Sequence, residues 1–154
     1  MICIDASVAA KWLFEEEYSQ QAVALADDCR KTRQRLVAPA LLPIEVSNVI
    51  RQRISRDGLS LADAEDALER FLAFSVAVRP ITPREQEALY LGALRLAIEH
   101  DLPAVYDAQY LALAETLGCI LWTDDRRLIR LLAGKLDYLK WIADYPLAEG
   151  GGTA

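Results

Sequence analysis

Residues 1–7 read Met1-Ile2-Cys3-Ile4-Asp5-Ala6-Ser7, and the reading of this stretch organises the rest of the chain. Ile2, Cys3 and Ile4 leave no polar face, which suits a strand buried on both sides in a parallel sheet. Asp5 follows at once, ahead of an amphipathic stretch from Ala6 to Phe14. A carboxylate between the end of a strand and the start of a helix stands where open α/β sheets place their ligands. The same group can equally be the cap of the following helix. Seven residues leave both roles open.

The same alternation continues outward. Tyr18 to Arg33 predicts a helix with Ala22, Val23, Ala26 and Cys29 at helical spacing. Leu36 to Ala38 predicts a second buried strand, stopped by Pro39. Pro43 suits the first turn of a helix reaching about Arg56, with Val46, Val49, Ile50 and Ile54 as its apolar face and Asp57-Gly58 at its end. Ser60 opens another, with Leu61, Ala64, Leu68, Phe71 and Leu72 as its stripe. Val76 and Val78 alternate in a third strand closed by Pro80, and Thr82-Pro83-Arg84-Glu85 carries a cap, a first-turn proline and an acid for a helix to about Glu99. Leu102-Pro103 starts the next, which Gly118 ends. Cys119 to Trp122 is a fourth strand, Asp125 to Ala133 a short helix and Tyr138 to Ile142 a fifth strand. Strands alternating with helices predict an α/β sandwich around a mostly parallel sheet, one domain over residues 1–147. The glycine-rich residues 148–154 have nothing to bury and are expected to be disordered.

Composition narrows the chemistry. The 154 residues are 53% hydrophobic and 26% charged, which is globular, and no run approaches the roughly 20 apolar residues of a membrane span. No basic leader with a small-residue cleavage site opens the chain, so a cytoplasmic protein is expected. Three scattered cysteines form no metal or redox spacing. One histidine, His100, excludes HExxH and multi-histidine zinc sites, and its place beside Asp101-Leu102-Pro103 is that of a helix C-terminus. A net charge of −6 argues against a coat protein for nucleic acid. It leaves room for an enzyme that reaches phosphates through ions bound to carboxylates.

Four acids stand in informative places. Ile120 to Thr123 runs into Asp124-Asp125, which repeats at the fourth strand the arrangement at Asp5. Asp107 shares a helical face with Leu111 and Ala114, and a lone acid on an apolar stripe must be paired, protonated or bound to a cation. Glu45 stands one turn before Val49 and beside Asn48; alone, it reads as a solvated glutamate. Carboxylates gathered at strand ends repel one another unless something positive sits among them. With oxygen ligands only, the compatible ion is Mg²⁺ or Mn²⁺.

Four segments, in this order and spacing, resemble the PIN-domain family and specifically the VapC toxins of VapBC toxin–antitoxin pairs. They are Ile-Asp-Ala-Ser-Val-Ala-Ala-Lys-Trp at 4–12, Glu-Val-Ser-Asn-Val at 45–49, Tyr-Asp-Ala-Gln-Tyr-Leu-Ala-Leu-Ala at 106–114 and Trp-Thr-Asp-Asp-Arg-Arg-Leu at 122–128. The resemblance implies a three-layer α/β/α fold on a five-stranded sheet in order 3-2-1-4-5. It implies an endoribonuclease that depends on Mg²⁺ or Mn²⁺, cleaves RNA, forms a homodimer and is inhibited by a cognate antitoxin. By position, Asp5, Asp107 and Asp125 become metal ligands and Glu45 the acid that positions or deprotonates the attacking water. Asp124 falls on the variable position of the Thr-x-Asp pattern and takes the role of Asp125 if the turn shifts by one residue. Ser7 and Asn48 become accessory polar residues.

Arg51 and Arg53 follow Glu45, and Arg126 and Arg127 follow Asp125; each pair is placed to contact an RNA backbone or an acidic antitoxin, or simply to lie on a solvated helix face. Trp12, Trp122 and Trp141 lie in apolar runs and read as core or dimer interface. The expectation from another functional class is a catalytically silent PIN-like module that binds protein. A phosphoacceptor domain fits less well, because Ser7 occupies the position of the second acid that a dehalogenase pattern requires.

Overall fold

The computed structural model describes residues 1–74, 76–79, 82–132 and 134–147. Five strands form one sheet in the order β3-β2-β1-β4-β5. They are β1 (Ile2–Ile4), β2 (Leu36–Pro39), β3 (Val76–Arg79), β4 (Ile120–Thr123) and β5 (Leu139–Trp141), and all four pairings are parallel. The predicted sheet order and α/β class are thus present, and the sheet is wholly rather than mostly parallel. The helices are α1 (Ala6–Ala10), α2 (Ser19–Thr32), α3 (Leu42–Asp57), α4 (Leu61–Ala73), α5 (Pro83–Glu99), α6 (Val105–Leu117) and α7 (Arg126–Leu132), with a 3₁₀ turn at Ile142–Asp144.

The strand order puts the functional edge at the centre. The chain leaves β1 toward β2 and β3 on one side, then returns to place β4 on the other. The C-terminal ends of β1 and β4 therefore flank a topological switch point, where parallel sheets open a crevice. Register pairs Ile2 with Ile120, Cys3 with Leu121 and Ile4 with Trp122, so Asp5 emerges beside Thr123. Cys3, Ile4, Val37 and Leu121 are essentially inaccessible, as a strand covered on both faces must be. Leu111 and Ala114 of α6 are equally buried against them; truncating a side chain such as Leu111 to alanine costs about 2–5 kcal/mol. Cys3, Cys29 and Cys119 are free and buried.

Several boundaries differ from expectation for identifiable reasons. The first helix stops at Ala10 instead of Phe14, and Trp12 to Phe14 continue as a turn packed in and against the core. Pro39 belongs to β2, pairing in register with Arg79 at the strand's last position, where a missing N–H is tolerated. Helix α6 begins at Val105, not at Leu102-Pro103, since Asp101 has a left-handed φ of 52° and Ala104 is still extended. Val23, Leu61 and Leu72 obey helical spacing yet are exposed, so the stripes of α2 and α4 are narrower than drawn. Pro80, the end of the short helix at Ala133 and the tail 148–154 lie outside the described residues. His100 is the C-cap of α5, as expected.

Candidate active site

The switch point opens into a cleft of about 290 Å³ whose lining includes Asp5, Ser7, Glu45, Asn48, Asp107 and Asp125. Five elements contribute. Asp5 ends β1, Ser7 lies in α1, Glu45 and Asn48 stand on the first turns of α3, Asp107 is in the first turn of α6 and Asp125 precedes α7. Residues separated by up to 120 positions are brought to one sheet edge.

Asp5 and Asp125 share a design. Oδ1 of Asp5 accepts the Ser7 and Val8 amides at 3.0 and 3.1 Å and the Ser7 hydroxyl at 2.6 Å, while Oδ2 accepts the hydroxyl of the fully buried Thr123. Oδ1 of Asp125 accepts the Arg127 and Leu128 amides at 2.8 and 3.0 Å. Each acid thus caps a helix with one oxygen and leaves the other turned elsewhere. The cap and site roles of Asp5 are compatible.

Asp124 is committed to a different place. Its Oδ2 lies 2.8 Å from Nζ of Lys11, its Oδ1 accepts Trp141 Nε1–H at 3.0 Å, and its amide donates to Ser7 Oγ at 2.7 Å. Asp125, and not Asp124, lines the cleft.

The electrostatics of the cleft form a chain of repulsion. Burial pushes Asp5 up to about 6, against hydrogen bonds from Ser7, Thr123 and Val8 that pull it down, and Glu45 adds to the rise. Burial also raises Glu45, with Asp107 contributing and the Tyr110 hydroxyl opposing by donating to Glu45 Oε2. Asp107 is raised by burial and by Asp125, and lowered by Arg127. Arg127 Nη2 lies 3.0 Å from Asp107 Oδ2 and 3.7 Å from Asp125 Oδ2, the one cation paired with these acids among the described residues. One exposed guanidinium against four acids leaves the site short of positive charge.

Among the described residues, no three His, Cys, Asp or Glu side chains converge as a ready-made cation cage. The donor set consists of oxygens alone, separated around an open cleft. It fits an ion such as Mg²⁺, which takes one or two carboxylates and keeps several waters, better than an ion needing a full protein cage.

The other predicted polar residues divide clearly. Arg53 is held by Glu16 and by Asp57 at 2.7 Å, and Arg126 pairs with Glu17 over the rings of Tyr18 and Trp141. Arg51 reaches Ser55 on the outer face of α3. Of the four arginines, only Arg127 touches the acids. Trp12 stacks on Phe74 and donates to the Ala22 carbonyl, so it packs at the core margin. Tyr110, Thr123 and Gln52 line or brace the cleft and were not singled out from the sequence. Tyr110 sits one turn after Asp107, a spacing that would have placed it on the same face.

The PIN domain model matches residues 2–133. VapC ribonuclease Mb0985 of Mycobacterium bovis is 33% identical over 128 residues, covering 83% of this chain and 88% of that protein. Ribonuclease VapC3 of Pyrobaculum aerophilum is 33% identical over 127 residues, covering 82% and 91%. The crystal structure of PAE2754 from the same archaeon superimposes with a TM-score of 0.63 at 24% identity over 92% of this chain and 89% of that one, a likeness of fold. With its sheet order, its acidic cleft and these relatives, the chain belongs to the PIN-domain family, among the VapC-type proteins.

Proposed function

We propose that this chain is a metal-dependent endoribonuclease, the toxin of a type II toxin–antitoxin pair, which hydrolyses RNA phosphodiester bonds at a carboxylate-bound Mg²⁺ or Mn²⁺. The observation that carries the reading is the run Asp5–Glu45–Asp107–Asp125 around one cleft, in which Glu45 raises the proton affinity of Asp5, Asp107 that of Glu45, and Asp125 that of Asp107. Such an arrangement is costly without a cation and useful with one. Asp5, Asp107 and Asp125 would hold the ion. When bound, it would lower the pKa of a water and stabilise the leaving oxygen.

The protein's own residues supply the rest. Glu45, made more basic than an ordinary glutamate by burial, is suited to accept the proton of an attacking water. Tyr110 orients it and favours its charged form by donating to Oε2. Ser7 and Thr123 fix Asp5. Asn48 lines the cleft with a neutral group able to hydrogen-bond a phosphate or a water. A neighbouring cleft shares Val49 and Gln52 with the site, and there Arg53 and Arg56 stand among the acids Glu16 and Asp57. The VapC names of the relatives agree with an RNA substrate and an antitoxin partner.

Homodimerisation is supported by α5, which exposes Leu91, Leu94 and Ile98 at helical spacing with Tyr90 beside them. A self-complementary contact would cover this stripe. No helix among the described residues is long and apolar enough to cross a membrane.

One observation favours the second reading, a silent protein-binding module: Arg127 already occupies two of the acids. Incubation of single-stranded RNA with the purified chain separates the two. Endonucleolytic products in Mg²⁺ and none in excess EDTA are expected. Products in both overturn the metal role, and products in neither favour the silent module.

A further inference from the structure

Lys11, the C-cap residue of α1, is the one charged side chain buried below a tenth of its surface among the described residues. An unpaired ammonium in that position would be strongly disfavoured, so its partners explain its presence. All three of its donors are used: the Glu17 carbonyl at 2.6 Å, Asp124 Oδ2 at 2.8 Å and Glu16 Oε2 at 3.4 Å. Glu16 in turn pairs with Arg53 on α3, the helix that carries Glu45 and Asn48. A line of alternating charge, Arg53–Glu16–Lys11–Asp124, therefore runs from α3, past α1, to the turn between β4 and α7.

Asp124 is the end of that line. Lys11 and Trp141 hold its two oxygens, and Ser7 holds its amide. Asp124 and Asp125 are adjacent, so fixing one carboxylate away from the site decides which of them faces it. We infer that Lys11 is a positioning residue: by anchoring Asp124 away from the cleft, it sets the β4–α7 turn so that Asp125 presents Oδ2, the oxygen not used in capping α7, to the cation. The inference rests on the reading of Asp5, Asp107 and Asp125 as a metal site, and adds a residue that touches neither ion nor substrate.

The test is calorimetric Mn²⁺ titration of the metal-free full chain, with urea unfolding of each variant. Lys11→Met with Asp124→Asn removes both charges together, so neither is left buried alone and the variant keeps its fold. The expected result is a loss of Mn²⁺ affinity of at least tenfold while cooperative unfolding is retained. Asp125→Asn supplies the second arm. It should weaken Mn²⁺ binding in the wild-type background and add less than threefold in the double variant, where Asp125 is already misplaced. A folded double variant with wild-type affinity overturns the inference. So does an equal effect of Asp125→Asn in both backgrounds, which would make the buried pair structural only. Absent Mn²⁺ binding by the wild-type chain overturns the metal-site reading itself, and Lys11's role with it.

Discussion

The guanidinium of Arg127 lies 3.0 Å from Oδ2 of Asp107, where it supplies the positive charge that the cleft otherwise lacks. The same nitrogen is 3.7 Å from Asp125, so one arginine serves two proposed ligands. Its side chain is 60% exposed, which makes the pairing weak and easily exchanged for a divalent ion.

Arg127→Ala should therefore move two measurements in opposite directions. Mn²⁺ affinity should rise by roughly two- to fivefold, the scale of one exposed ion pair. RNA cleavage at saturating metal should fall, because the displaced guanidinium is the cation beside the acids that can meet a phosphate. Calorimetry beside a cleavage assay checks both. Weaker metal binding would mean that Arg127 organises the acids instead of competing for them.

Asp5 makes the metal-free protein sensitive to pH. Its pKa is raised from an ordinary 3.8 to about 6, so the folded state binds the proton more tightly than the unfolded one. The associated stability is complete below the ordinary value and is lost as pH climbs through about 6; at pH 7 the loss is on the order of 3 kcal/mol. Glu45 and Asp107 are shifted the same way. In EDTA, urea melts should show greater stability at pH 5 than at pH 8. Asp5→Asn should reduce that difference and abolish cleavage. An unchanged pH dependence in the variant would show that Asp5 does not carry the strain.

Tyr110 donates to Glu45 and thereby favours its charged form. Tyr110→Phe should raise the Glu45 pKa and move the acid limb of the cleavage profile to higher pH, with a loss of activity of roughly ten- to hundredfold on that limb, the scale of one hydrogen bond to a charged group. A limb that stays in place would remove Glu45 from the role of base.

The apolar face of α5 gives a prediction about assembly. Leu94 is half exposed between Leu91 and Ile98, so Leu94→Arg should turn a dimer into a monomer without unfolding it. Sedimentation equilibrium reads the mass directly. A wild-type monomer would leave the stripe for a different partner.

These residues also show what the sequence could disclose. Strands, caps and acids announce themselves locally: Ile2 to Ile4 is apolar on both faces, and the Thr82–Glu85 box is present as read. Asp5 and Asp125 were visible because the strand before each ends in an acid. The braces were not. Thr123 reaches Asp5 across 118 positions and Tyr110 reaches Glu45 across 65, contacts that exist only after β4 docks beside β1 and α6 packs near α3. The Thr-x-Asp pattern pointed to Asp125, but the hold of Lys11 on Asp124 was not legible, since no local pattern encodes the burial of Lys11. Leu61 and Leu72 erred the other way, since helical spacing marks a face but not how far the neighbouring layer extends over it.

The central claim is that the acids of the cleft hold a divalent cation. Its most direct test is calorimetric titration of Mn²⁺ into the metal-free wild-type chain and into Asp5→Asn, both at pH 7.5, with the fold of each verified. Saturable binding by the wild type, weakened at least tenfold in the variant, is the predicted result. Equal binding by the two proteins, or none by either, would contradict it.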